Sequence, residues 1–293
     1  MEAMNTLENK VIIIAGGAGG IGRATASLLA RQGGIVVIAS RRIDPTDPLI
    51  DEVRTLSPKS SSFQGDLSDA VTWQELVDFV ARKYPAVHGL VNCVGTLNTK
   101  NLENLSRSEI ESAIGANVLT VIYGAQALLP IMRRQKQGTI ITIGSIVGIV
   151  PMPFAALYSA TKHAVRGFSL SLSEELKGTG VNASLLSLGP VQTRMLESEA
   201  CGEQGVIAFI NKPLQPNDVA ESVASLFRCP RREMILPPAT GALSIICNLA
   251  PGLFSICYRV LRQVGAIRLQ SYRREHSIPT PLMNWENYNV RTF

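Results

Sequence analysis

A run of β-branched and aliphatic residues, Val11–Ala15, passes without a break into Gly16-Gly17-Ala18-Gly19-Gly20-Ile21-Gly22 and then into a stretch of helical periodicity. Glycines at such a junction let the backbone turn sharply and approach a ligand closely. The helix that follows aims free amide donors, and the positive end of its dipole, at that ligand. This order of parts predicts the opening of a parallel α/β unit, with a pyrophosphate as the fitting anion. The spacing is G-x-x-x-G-x-G, on Gly16, Gly20 and Gly22, and not GxGxxG. On its own the segment also fits a tight strand-to-helix connection without a ligand.

The next two hundred or so residues repeat the alternation. The β-branched run Ile35–Ala39 predicts a second strand, and further strands are predicted at Ser61–Gly65, His88–Cys93, Gly138–Ile143 and Asn182–Leu188. Helices are predicted over Gly20–Gln32, Thr72–Lys83, Arg107–Arg134, Leu157–Leu176 and Asn217–Phe227. Strands interleaved with helices imply an α/β fold, a single-domain, Rossmann-like doubly wound parallel sheet over residues 1–240. Residues 241–293 read as a C-terminal extension, apolar and then basic. With 46% hydrophobic residues in a chain of 293, a large core can be buried and wholesale disorder is excluded.

Many dinucleotide-binding units carry an acid at the end of the second strand, but this chain reads Ser40-Arg41-Arg42. An acid would repel a 2′-phosphate, whereas guanidinium groups pair with it through charge-assisted hydrogen bonds. The pair favours NADP(H), with NAD(H) and a merely solvated role for both arginines kept as alternatives. Asp66, in Gly65-Asp66-Leu67 after the third strand, fits either an acceptor for an adenine amino group or the cap of the following turn.

Other classes are disfavoured. The five cysteines are scattered without CxxC spacing, and the three histidines stand in no ligand pattern. Neither a disulfide framework nor a metal site is expected, and a reducing compartment is. The net charge of +5 resides in the tail, where nine arginines from Arg228 onward face three glutamates. A near-neutral remainder argues against nucleic-acid binding. Met1–Lys10 lacks a basic segment followed by an apolar one, so no secretory signal is read and a cytoplasmic protein is expected.

Ser145 follows the Gly138–Ile143 run, and Tyr158 and Lys162 stand four apart in a predicted helix, on one face. A free phenol titrates near ~10, and a neighbouring ammonium would stabilise the phenolate and lower that value. The trio therefore suits proton transfer at a carbonyl or alcohol oxygen that the Ser145 hydroxyl holds. The bland alternative is a helix with one buried Tyr and one solvated Lys.

Taken together, Gly16/Gly20/Gly22, Asn92-x-x-Gly95, Asn117, Ser145, Tyr158-Ser159-Ala160-Thr161-Lys162 and Gly189-Pro190-Val191-Gln192-Thr193 resemble, in order and spacing, the short-chain dehydrogenase/reductase family. The resemblance spans residues from about 10 to 240 and is carried by the conjunction of motifs. It implies a sheet of about seven strands and a homodimer or homotetramer formed through the long helices. It also implies a catalytic set of Asn117, Ser145, Tyr158 and Lys162. Tyr158 would be the acid/base, Ser145 would orient the carbonyl, and Lys162 would bind the nicotinamide ribose and lower the Tyr158 pKa. Asn117, by periodicity alone an ordinary polar break in a helix, would hold a water linking Lys162 to solvent. The cofactor would lie against Gly16, Gly20, Ile21, Gly22, Ser40, Arg41, Arg42, Asp66, Leu67, Asn92 and Gly95, with Tyr158, Lys162, Pro190, Val191 and Thr193 toward the nicotinamide. The chain departs from the family pattern at Ala15, often Thr, and at Cys93-Val94, often Asn-Ala. Both departures touch the support of the cofactor loop and leave the catalytic hydroxyls intact.

Between Thr193 and Asn217, Met195, Leu196, Val206, Ile207, Phe209 and Ile210 suit either a lid over an apolar ligand or a helix packed on the core. Gly241–Tyr258 carries no charge but includes Asn248 and Pro251, and is short for a membrane span of ~20 residues. With Arg259, Arg262, Arg268, Arg273 and Arg274 close behind, residues 241–275 suit contact with a membrane surface, or else packing on the protein or a second copy. The leading expectation is NADPH-driven reduction of a ketone on an apolar, lipid-like substrate. The alternatives are an alcohol dehydrogenase working in the oxidative direction and a non-catalytic dinucleotide sensor.

Overall fold

Val11–Ala15 (β1) pairs in parallel with Ile35–Ser40 (β2) on one side and Gly89–Asn92 (β4) on the other, in the register Ile13↔Val37 and Ile13↔Leu90. Ser61–Gln64 (β3), Gly138–Ser145 (β5), Val181–Leu188 (β6) and Glu233–Leu236 (β7) complete a parallel sheet of seven strands in the order β3-β2-β1-β4-β5-β6-β7. The computed structural model describes residues 7–278 apart from 45, 99, 202 and 203, with the side chains of 204, 251, 253–257 and 259 also outside it. Several side chains of the apolar stretch and that of Arg259, and residues 279–293 of the C-terminal extension, therefore lie outside what is described.

Alternation along β1 explains why this sheet must be covered on both faces. Ile12 and Ile14 join Val36 and Ile38 beneath Gly20–Arg31 (α1), Pro48–Leu56 (α2) and Pro216–Arg228 (α8), against Leu29, Val53 and Val219. Val11, Ile13 and Ala15 join Val37 on the opposite face, against Trp73 and Leu76 of Ala70–Lys83 (α3) and Leu128 and Met132 of Thr120–Gln135 (α5). Ala156–Glu175 (α6) covers β5 and β6, with Val165 packed on Leu185.

The expected helix over Arg107–Arg134 is divided. Arg107–Ile114 (α4) passes through a π-helical turn, Gly115–Leu119, before α5 begins, and Asn117 stands on that turn. The described part of the combined tract, Arg107–Gln135, is long and apolar enough to cross a membrane by length and composition, yet its buried side packs on the sheet. The uncharged stretch near the C-terminus is also divided. Pro238–Leu249 (α9) ends before Pro251, which opens Pro251–Glu275 (α10). A proline at the first helical position suits a helix start, because its missing N–H would have had no partner there.

Candidate active site

In a parallel sheet of this order, the strand order reverses between β1 and β4, and the strand ends there form a crevice. Gly16 leaves β1 at φ +80, and a Cβ on it would lie 2.9 Å from the Val94 amide nitrogen. Only glycine permits that approach. A Cβ on Gly20 would meet Thr193 Cγ2 at 2.7 Å, so the turn also touches the loop after β6. Ile21 and Gly22 form the first turn of α1. Arg23 secures the turn from outside: its Nε donates to Ala18 O at 3.0 Å and its Nη1 to Asp47 Oδ1 at 2.8 Å. Asp47 caps α2 by accepting from the Leu49 amide.

Ser40 ends β2, and Arg41 and Arg42 project into solvent beyond it. Arg41 Nη1 lies 3.9 Å from Asp66 Oδ2, an exposed pairing too weak to hold it away from an anion. Asp66 Oδ1 accepts from the Ser68 amide at 3.0 Å and the Ser68 hydroxyl at 2.8 Å, and these bonds keep its carboxyl below the usual range. Its contacts are those of a turn cap. Leu67 is buried, its carbonyl accepting from Trp73 Nε1 at 2.9 Å.

Asn92, at the end of β4, is buried, with Oδ1 unpartnered among the described residues and Nδ2 at 3.5 Å from Thr142 Oγ1. A buried acceptor without a partner costs free energy unless a ligand or water meets it. The glycine cradle, the orphaned Asn92 oxygen and the arginines beyond β2 together fit a dinucleotide.

The chemical residues converge one strand further on. Ser145, the last residue of β5, accepts from the Val147 amide at 3.1 Å, and its side chain is near enough to the Tyr158 phenol to favour the phenolate. Lys162 is 5% exposed, lies 5.7 Å from the Tyr158 ring centroid, and donates to Ile143 O at 3.3 Å. Burial pushes its ammonium down to about 8. Burial also pushes the Tyr158 phenol up to about 12, opposed by the Ser145 hydroxyl and aided by the charge of Glu199. The expected lowering of the phenol by Lys162 is not found in this structure: the phenol is raised, because desolvation of a phenolate dominates. Cys93 between the two loops is pushed up to about 12 by burial and stays a thiol.

Asn117 is 1% exposed and bonded on both sides: Oδ1 accepts from the Thr96 amide at 2.7 Å, and Nδ2 donates to Thr96 O and Thr161 Oγ1, each at 3.0 Å. It ties the loop after β4 to α6. A Cβ on Gly95 would lie 3.6 Å from Asn117 Oδ1 and 3.7 Å from Lys162 Nζ, so the three meet around one point.

The segment after Pro190 is pinned at both ends, Gln192 N donating to Leu214 O and Leu214 N to Pro190 O, each at 2.9 Å. Val191 is buried beside this pairing. Between them, Arg194–Ala200 (α7) and the 3-10 turn Gln204–Phe209 form a flap. Leu196, Val206 and Phe209 pack on Leu269 and Tyr272 of α10, so most of its apolar residues face the C-terminal helix and not an open pocket. Gln192 Nε2 donates to the Tyr272 hydroxyl at 2.6 Å, and Arg273 Nε to Ala200 O at 2.8 Å. Arg268 also donates to Ile210 O. Arg273 is 2% exposed, so the C-terminal arginines are not uniformly a solvated run. Arg273 stood in the sequence only as one of a basic run, and Glu199 did not stand out, since burial of a charge leaves no local pattern.

The family model described as short chain dehydrogenase matches residues 10–204. A cyclopentanol dehydrogenase from a Comamonas species is 28% identical over 228 residues, covering 76% of this chain and 91% of its own. A 3-oxoacyl-(acyl-carrier-protein) reductase from Thermotoga maritima is 30% identical over 191 residues, covering 65% and 78%. The crystal structure of levodione reductase superposes with a TM-score of 0.73 at 21% identity, over 80% of this chain and 99% of that one, a likeness of fold.

Proposed function

The chain belongs to the short-chain dehydrogenase family, and from that premise we propose that it is an NADPH-dependent reductase of ketones on apolar, lipid-like substrates, with Tyr158 as the proton donor. Membership makes it an NAD(P)(H)-dependent oxidoreductase of small molecules. The bound dinucleotide would supply a hydride, and the chain does the rest. Ser145 holds the carbonyl oxygen against the Tyr158 hydroxyl, and that oxygen takes the phenolic proton as its carbon is reduced. Lys162 places a positive charge beneath the phenol and offers donors to a ribose. Asn117 fixes the geometry of Lys162 by joining the loop after β4 to α6, and a water at the point shared with Gly95 would return the proton.

Gly16, Gly20, Ile21 and Gly22 would cradle the pyrophosphate, with Asn92, Gly95, Pro190, Val191 and Thr193 lining the crevice. Arg41 and Arg42 would pair with a 2′-phosphate beside Ser40, while Asp66 and Leu67 border the adenine. The single observation that carries the reading is Tyr158 itself. Burial holds its phenol protonated, which is the form a donor needs, while a hydroxyl and a buried ammonium stand beside it. Kinship to a cyclopentanol dehydrogenase supports the reverse direction, alcohol oxidation, as the second reading.

Replacing Tyr158 by Phe tests the mechanism. Turnover should fall by about a hundredfold or more, with NADPH binding kept within a few-fold. A variant that reduces ketones at the native rate would end the proposal.

A further inference from the structure

We propose that the outward face of α9, rimmed by Lys212 and Arg268, docks on an anionic bilayer surface.

The twelve residues of α9 carry no charge. One narrow side seats the helix. Gly241, Ser244 and Cys247 are buried, a Cβ on Gly241 would lie 2.5 Å from Ile235 Cγ2 of β7, and Cys247 packs with Ile149 and Val150. The helical repeat turns Ile246 and Leu249 to the opposite side, with Leu243 and Ile245 on its flanks, and all four are exposed. Four large aliphatics on one short uncharged helix make a patch that water solvates poorly. At about 18 Å, α9 is too short to span a hydrocarbon core of about 30 Å and suits lying in its interface.

Cations stand at the first turn of α9. Asn211 Nδ2 donates to Thr240 Oγ1 at 3.0 Å, which sets the exposed Lys212 beside the helix, and Arg268 of α10 donates to the neighbouring Ile210 carbonyl. Among the described residues neither Lys212 nor Arg268 makes an ion pair. In α10, Val260, Val264 and Ile267 are exposed at i, i+4 and i+7, and five arginines stand against one glutamate. A second copy seated symmetrically on α9 would bring Lys212 and Arg268 toward their own counterparts, with Glu275 the only acid of either helix to offset them. Anionic headgroups offset them directly, while the acyl chains take up the aliphatics. The Asn211 bond also places the end of the flap beside α9. A ketone dissolved in the bilayer then reaches the flap without crossing water, a consequence that rests on the carbonyl-site reading.

The test floats the full chain with vesicles of phosphatidylcholine, alone or with about one third phosphatidylserine. Binding to the anionic vesicles should be at least about tenfold tighter. Ile246→Asp with Leu249→Asp should weaken it by about tenfold or more, because charged groups then replace the aliphatics. Lys212→Ala should lower the anionic preference by about fivefold. Equal binding of the wild-type chain to both vesicles, or binding to neither, would overturn the proposal without any variant. So would a double variant, folded by circular dichroism, that binds as the wild-type chain does. A wild-type chain that ignores vesicles and elutes as a dimer, which the double variant turns to monomer, would assign the face to a second copy instead. Vesicle binding is read without turnover, so a failure of ketone reduction alone would sink the carbonyl-site reading and leave the docking face standing.

Discussion

Lys162 is buried with its ammonium held near 8, well below the 10.5 of an exposed lysine. Holding that charge out of water at neutral pH costs about 3 kcal/mol, before any gain from the bond to Ile143 O is counted. The sign follows from proton binding. Between pH 8 and 10.5 the unfolded chain holds the proton that the folded chain has released, so stability from this residue rises with pH through that window and is lost as pH falls through 8. Lys162→Met should therefore be more stable than the wild-type chain at pH 7, by roughly 2 kcal/mol, and nearly inactive. Chemical denaturation at pH 7 and pH 10 checks both the gain and its disappearance. A variant less stable at pH 7 would show that the Ile143 bond outweighs desolvation. At the cofactor end, Arg41 makes only a long, exposed contact with Asp66. Arg41→Ala should weaken NADPH binding by about tenfold or more and NADH binding little, as nicotinamide fluorescence titration reads. Equal losses would remove the basis for the NADP(H) preference.

At the scale of elements, the flap and its support were legible to different degrees. β1, the glycine turn and α1 were plain because period-two and helical patterns meet at a glycine cluster. β2, β4, β5 and β6 were plain because strands buried on both faces read as continuous apolar runs. α2 was missed, since Pro48 and Asp47 resemble loop residues until the N-cap is seen. β7 was missed as a four-residue strand whose pairing with β6 is entirely non-local. The π turn at Asn117 was invisible to periodicity, which registers only a polar residue out of phase. Ser145, Tyr158 and Lys162 were found because a motif names them. Arg273 was legible only as one of a basic run, because its partner, the Ala200 carbonyl, lies across the flap. That helix should matter to substrate binding. Arg273→Leu removes the bond that holds the end of α7, so KM for the ketone should rise by about fivefold or more with kcat changed less. Matched losses in kcat and KM-independent loss of folded protein, read by circular dichroism, would assign Arg273 to stability alone.

For the whole molecule, the sheet and its two helical layers account for the dinucleotide crevice, and α9 and α10 add a surface of a different character. Leu249 is 79% exposed and Ile267 69%, with Ile246 and Val260 also open to solvent. Exposed aliphatics beside Arg262 and Arg274 fit contact with an anionic membrane surface, which we keep as a proposal alongside a homodimer or homotetramer through the long helices. Whether residues 241–293 act as a unit apart from residues 1–240 belongs to the same proposal, with one qualification: α10 is built into the flap through Tyr272 and Arg273. The central claim is that this crevice carries NADPH-driven carbonyl reduction. Its most direct test is the fall of nicotinamide absorbance when the purified chain meets an apolar ketone, with NADPH and NADH in parallel. The account predicts ketone-dependent consumption of NADPH, at least about tenfold faster than NADH at equal concentration. Ketone-dependent consumption of NADH alone, or of neither, would contradict it.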